Sequence, residues 1–181
     1  MRALVVYESM FGNTQRVAEA IGEGLRERYE VEVREVGQLD VAGPELEGVD
    51  LLVVGGPIHA WSMTRANTRE GARQEAEGVA IVSTGHGIRE FLRELHDANP
   101  DQHAVAATFD TAIQTRWFPV GSAAKPAAKQ LSKHGYPLVA KPEHFYVTDK
   151  QGPLVAGELE RARAWASLLT PPEPLRVDPA G

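Results

Sequence analysis

A chain of 181 residues, 43% apolar and 24% charged, is sized for one domain with a full core. Its formal net charge of −6 argues against nucleic acid as the main partner, because phosphate backbones reward a basic face; it suits a small-molecule site or a basic protein partner. The absence of cysteine excludes disulfides, thiolate nucleophiles and Cys-ligated metals, and suits a cytoplasmic protein. No signal-peptide pattern opens the chain, and no apolar run approaches the ~20 residues of a membrane span.

Residues 3–7 form a short apolar run of the kind that suits a parallel strand buried on both faces. The turn YESMFGNTQ follows, with Ser9, Gly12, Asn13 and Thr14 and no lysine or arginine. From Thr14 the spacing changes to that of a helix, with Val17, Ala18, Ile21 and Leu25 on one stripe, ending near residue 28 or 29. Val31 and Val33 alternate with charged residues, as in a strand with one wetter face at a sheet edge. Residues 51–54 give the next buried strand, stopped by Gly55, Gly56 and Pro57.

The middle is less regular. A helix is predicted over residues 69–76, and residues 79–83 read as either a strand or a buried loop. A helix over 87–97 places Ile88, Phe91, Leu92 and Leu95 on one face. Residues 103–109 read as a buried strand, followed by a long loop over 110–121 and a helix over 122–133 with Pro126 in its first turn. Residues 138–147 carry the last strand. A turn at 149–153 precedes an amphipathic helix over 154–169. The expected organisation is one domain over residues 1–170 and a proline-rich tail over 171–181. Strands alternating with helices imply an α/β fold with a mainly parallel sheet.

In such sheets ligands bind beyond the carboxyl ends of strands. Three ends are informative: 8–14, 55–64 and 109–121. The first runs straight into a helix, where unpaired backbone N–H groups and the helix dipole favour an anion. Ser9, Asn13 and Thr14 add polar side chains, and Gly12 permits a backbone that larger residues resist. Helix capping alone explains the same residues equally well. The turn lacks the Gly-Lys-Ser/Thr of a Walker loop and the spacing of a dinucleotide turn. Trp61, and Trp117 with Phe118, offer flat faces for a ring or cover the rim of the core. Asp110 and Thr111 either meet polar groups of a ligand or brace their own loop. His59 either donates to a ligand or is solvated. His96-Asp97 with His103 is a thin metal candidate, and no H-E-x-x-H or G-x-S-x-G pattern occurs.

The strand followed by Ser9-Met10-Phe11-Gly12-Asn13-Thr14 and an Ala-rich helix resembles the flavodoxin family, whose phosphate loop holds flavin mononucleotide (FMN). It departs at Phe11, where the family usually has threonine. The resemblance covers most of the chain. It implies a three-layer flavodoxin-like α/β/α sandwich with a five-stranded parallel sheet of order 2-1-3-4-5. It also implies ring-flanking loops at Pro57, Ile58, His59, Ala60 and Trp61 and at Phe109, Asp110 and Thr111. Residues 62–100 are longer than in short-chain flavodoxins. The function so implied is electron transfer by bound FMN, with redox proteins as partners. Two alternatives are a flavin-dependent reductase of quinones or nitro compounds driven by NAD(P)H, and a flavin-free fold acting as a binding or regulatory module. Negative charge near a ring would lower its reduction potential, and the net charge points that way.

Overall fold

The computed structural model describes residues 1–59, 61–74, 76, 78, 80–98, 103–115 and 121–170. Five strands lie parallel in the order β2-β1-β3-β4-β5: β1 Arg2–Tyr7, β2 Glu30–Glu35, β3 Leu51–Pro57, β4 Val105–Ile113 and β5 Glu143–Val147. The helices are α1 Asn13–Leu25, α2 Ala66–Gln74, α3 Ile88–Ala98, α4 Ala124–Lys133 and α5 Glu158–Ser167.

Alternation along the strands divides the core in two. Ala3, Val5 and Tyr7 of β1 join Val17, Ile21, Phe109, Phe145, Ala162 and Ala166 on the face covered by α1 and α5. Leu4 and Val6 join Leu52, Val54, Ile88, Leu92 and Leu131 on the face covered by α3 and α4. Helices α1 and α5 cross so closely that a Cβ on Gly24 would come within 2.4 Å of the Arg163 carbonyl oxygen. β2 and β5 are the edge strands, and most side chains of β2 are only partly covered, in keeping with its charged alternation.

Several boundaries differ from the sequence-based expectation. β3 does not stop at the glycines; it continues through Gly55 and Gly56 to Pro57. The Phe109 ring of the neighbouring strand lies over Gly55, where a Cβ would sit 2.2 Å from it, so glycine belongs inside this strand. β4 runs past Phe109 to Ile113, so the first four residues of the expected loop are strand. Residues 80–83 are a loop in which only Ser83 is buried: the Val82 and Ser83 amides donate to the Met10 and Ser9 carbonyls, away from the sheet. β5 starts only at Glu143, and Leu138 contributes an isolated bridge to Ala106. α5 starts at Glu158, because Leu154 bridges to Val147 and Val155 donates to the Tyr146 carbonyl. α1 ends at Leu25, and α2 begins three residues before its predicted start. The tail over 171–181, Ala60, Val79, Trp117 and Phe118 lie outside the described residues.

Candidate functional site

The turn between β1 and α1 is fastened from below and from both sides. Ser9 is fully buried; its amide donates to the Ser83 hydroxyl (2.9 Å), and its own hydroxyl accepts from the Gly12 N–H (3.1 Å). Gly12 caps α1 in the left-handed region, with φ +83°. The first main-chain bond back to it comes from Arg16 (3.1 Å). The N–H groups of Asn13, Thr14 and Gln15 therefore have no helical acceptor. The Thr14 and Thr111 hydroxyls share a buried bond of 2.8 Å, which ties the turn to β4. The Asn13 side-chain amide donates to the Gln151 carbonyl (2.9 Å), which ties it to the segment after β5.

Above this turn lies a cavity of about 390 Å³. The size falls within the roughly 300–1,000 Å³ of small-molecule sites. Met10, Phe11, Asn13 and Thr14 line it from the first turn, and Pro57, Ile58 and His59 from the end of β3. β4 contributes Thr111 and Ile113; β5 and the segment after it contribute Val147 and Lys150; α2 contributes Thr68, Gly71 and Ala72. No carboxylate lines the cavity among the described residues. The chain's negative charge is therefore not concentrated there.

The predicted residues separate into groups. Met10, Phe11, Asn13, Thr14, Pro57, Ile58, His59 and Thr111 meet at the cavity, whereas Ser9 and Gly12 shape the backbone under it. Phe109 does not face it: the ring is fully buried in the core, edge-on to Phe145 at 6.1 Å between centroids. Asp110 does not face it either. Strand alternation sends its side chain to the opposite side from Thr111, where Oδ2 accepts from Ser122 Oγ (2.9 Å) and from the Ala123 and Ala124 amides (2.8 and 2.9 Å). Asp110 is thus the brace at the start of α4. Trp61 is outside the lining and 66% exposed.

Thr68, Gly71, Ala72, Ile113, Val147 and Lys150 escaped the sequence reading. Ile113 and Val147 follow from strands that extend to the cavity. The α2 residues carry no motif; only the path of the chain after β3 brings them there.

His144 stands beside Asp110 in the parallel register, with Nδ1 2.6 Å from Asp110 Oδ1. That bond raises the imidazole pKa above its usual 6.5, against the opposing effect of burial. His96, the metal candidate of the sequence, stacks on His134 with centroids 4.2 Å apart.

Behind β3 lies a second polar cluster. Glu8, 1% exposed, accepts from the Thr64 hydroxyl (2.5 Å) and the Ile88 amide (2.9 Å). The buried Arg69 donates to Thr64 Oγ1 and to Glu90, each at 3.1 Å, and so attaches α2 to the cluster. Burial raises the Glu8 pKa above 4.5, more than these hydrogen bonds and Arg69 lower it. A raised carboxylate contributes stability that is complete below the unfolded pKa and lost as pH rises through the folded one. Glu8→Gln keeps an acceptor and removes the buried charge. Its stability relative to wild type should therefore be higher at neutral pH than at pH 4.5. Urea unfolding at the two pH values measures this, and an equal difference at both would remove the desolvated charge from the account.

The family model for the flavodoxin domain matches residues 4–107. No curated protein matches the chain's sequence. Among solved structures, the chain is similar to a flavodoxin from the domain Archaea, with 19% identity, 92% of this chain and 94% of that one covered, and a TM-score of 0.63. It is similar to oxidised Flavodoxin 1 from Bacillus cereus at 17% identity, covering 93% and 96% with a TM-score of 0.62. Rubredoxin oxygen:oxidoreductase from Desulfovibrio gigas matches at 16% identity and a TM-score of 0.63, over 92% of this chain but 34% of that longer one. These identities speak to the fold alone, and the fold agrees with the sheet order. The family match spans more than half of the chain and begins in β1, directly before the fastened turn: the chain belongs to the flavodoxin family.

Proposed function

We propose that the chain binds one flavin mononucleotide in the cavity above the β1–α1 turn and serves in electron transfer with redox proteins. The observation that carries this is the convergence of a left-handed glycine turn, a helix start and three strand ends on one cavity of ligand size. The residues fit such a molecule. The free N–H groups at the start of α1 and the Thr14 hydroxyl suit a phosphate, and Lys150 also lines the cavity. The backbone of Phe11 replaces the hydroxyl that the family's usual threonine would bring. Met10, Ile58, Ile113 and Val147 supply the apolar surface that keeps water from a ring. A bound flavin supplies one- and two-electron chemistry; the chain holds it, orients it and sets its surroundings.

One observation favours a second reading, a flavin-dependent reductase using NAD(P)H with a quinone or nitro compound. Helix α2, from the long middle segment, presents only small side chains to the cavity, Thr68, Gly71 and Ala72. That wall leaves room for a substrate. Steady-state NADPH oxidation with a quinone separates the two readings.

Both predict yellow protein that releases a flavin on denaturation, or colourless protein whose absorbance and flavin fluorescence change on FMN titration. Protein that shows neither leaves the flavin-free binding module. Thr14→Ala removes a hydroxyl and the tie to Thr111, each a bond worth about 1 kcal/mol. It should weaken FMN binding roughly tenfold or more. His59→Ala should change it far less. Equal affinities in fluorescence titration would detach the turn from the phosphate.

A further inference from the structure

Trp61 is the one non-glycine residue with positive φ among the described residues, at +70°. Its indole is largely exposed, so its own packing does not hold it there. The main chain does. His59 and Ser62 exchange backbone bonds of 2.9 and 3.1 Å around it. From the other side, the Ser122 amide donates to the Trp61 carbonyl (3.1 Å), and Gly121 lies so near that a Cβ would come within 2.1 Å of that oxygen. A bulky residue keeps such a backbone only where its surroundings over-determine it.

The clasp is anchored in the interior. The hydroxyl of Ser122 donates to Asp110 Oδ2, and the other carboxylate oxygen meets His144 Nδ1. Asp110 is wholly buried; the His144 side chain retains 27% exposure and so exchanges protons with solvent. We infer that Asp110 and His144 are positioning residues for Trp61, acting through Ser122, so that the proton on His144 governs how firmly the Trp61 backbone is held. With the imidazolium present, a charge-assisted bond fixes the carboxylate. Above the His144 pKa the ion pair is lost, a neutral imidazole faces the carboxylate, and the anchor loosens. The groups facing His144 are Asp110 of β4 and Glu143 of β5, which favour its charge, and Lys125 of α4, which opposes it; Arg161 of α5 donates to its carbonyl.

The test uses the full chain without flavin, so its outcome is separate from that of the flavin titration. Fluorotryptophan labelling gives ¹⁹F resonances for the three tryptophans, and Trp61→Phe identifies the one in question. The Trp61 resonance should titrate with a midpoint above 6.5 in wild type. In His144→Gln it should no longer titrate. Ser122→Ala, which leaves the buried pair and the Ala123 and Ala124 bonds intact, should shrink the response, and Ser122→Thr should restore it. A Trp61 resonance that is flat in wild type, or that titrates unaltered in His144→Gln or Ser122→Ala, overturns the inference.

Discussion

Gly55→Ala is expected to lower the unfolding free energy by about 1–3 kcal/mol, the cost of overfilling a packed core. The added methyl would lie 2.2 Å from Cε1 and Cζ of Phe109. That ring has little room to retreat: it is fully buried and meets Phe145 edge-on, and Phe145 in turn meets Trp165 with centroids 6.0 Å apart. Gly56→Ala is the contrasting variant. Its methyl would meet Ile88 Cγ1 at 3.4 Å, an ordinary contact, so it should cost much less. Urea unfolding of both variants gives the comparison. Phe109→Leu combined with Gly55→Ala should recover part of the loss, because the two residues share one volume. Wild-type stability for Gly55→Ala would show that the rings move freely, contrary to the packing described.

Gly12→Val tests the turn itself, and here the strain is conformational. Nothing lies within 4 Å of a Cβ on Gly12, so crowding plays no part. Its φ of +83° is the obstacle, since an L-residue in the left-handed region costs about 1–2 kcal/mol, and a β-branched one is least able to adopt it. Either the turn keeps its shape and the fold is less stable, or it relaxes and its N–H groups lose their common direction. In the second case FMN affinity should fall by roughly 5- to 30-fold, the factor equivalent to that strain. Gly48→Val supplies the control: φ there is +64° with equally open space, and the residue does not line the cavity. It should lose stability to a similar degree and leave affinity unchanged. If both variants bind FMN as wild type does, the left-handed turn is not what receives the phosphate.

The strands and the first turn are legible because both are written in local pattern: apolar runs of strand length, and a glycine followed by two polar residues at a helix start; the strand order came only with the family resemblance. The site's other walls were not. Gly55 and Gly56 read as a stop because glycine usually breaks a strand, and the ring that requires one of them lies 54 residues onward in a different strand. The resemblance implies a ring-flanking loop at Phe109 and Asp110; with β4 extended to Ile113, alternation sends Asp110 away from the cavity and Thr111 and Ile113 toward it. Asp110 carried two readings in the sequence, and its three donors from the start of α4 decide for the brace. Trp61 shows the limit of residue type as a signal. An indole near a strand end suggested a flat face for a ring, but its backbone, fixed by Gly121 and Ser122, places it outside the lining.

The bond from Asn13 to the carbonyl of Gln151 spans 138 positions. Val147 and Lys150, from the same late segment, close one side of the cavity. A chain made from its N-terminus therefore carries the β1–α1 turn from the start and lacks the cavity above it until β5 has emerged and docked. Contacts of such long range form late and slowly. Ligand capture is in this sense an end-point reporter: a nascent or truncated chain that stops before β5 has the signature without the site, and only a chain folded through nearly its whole length can be filled.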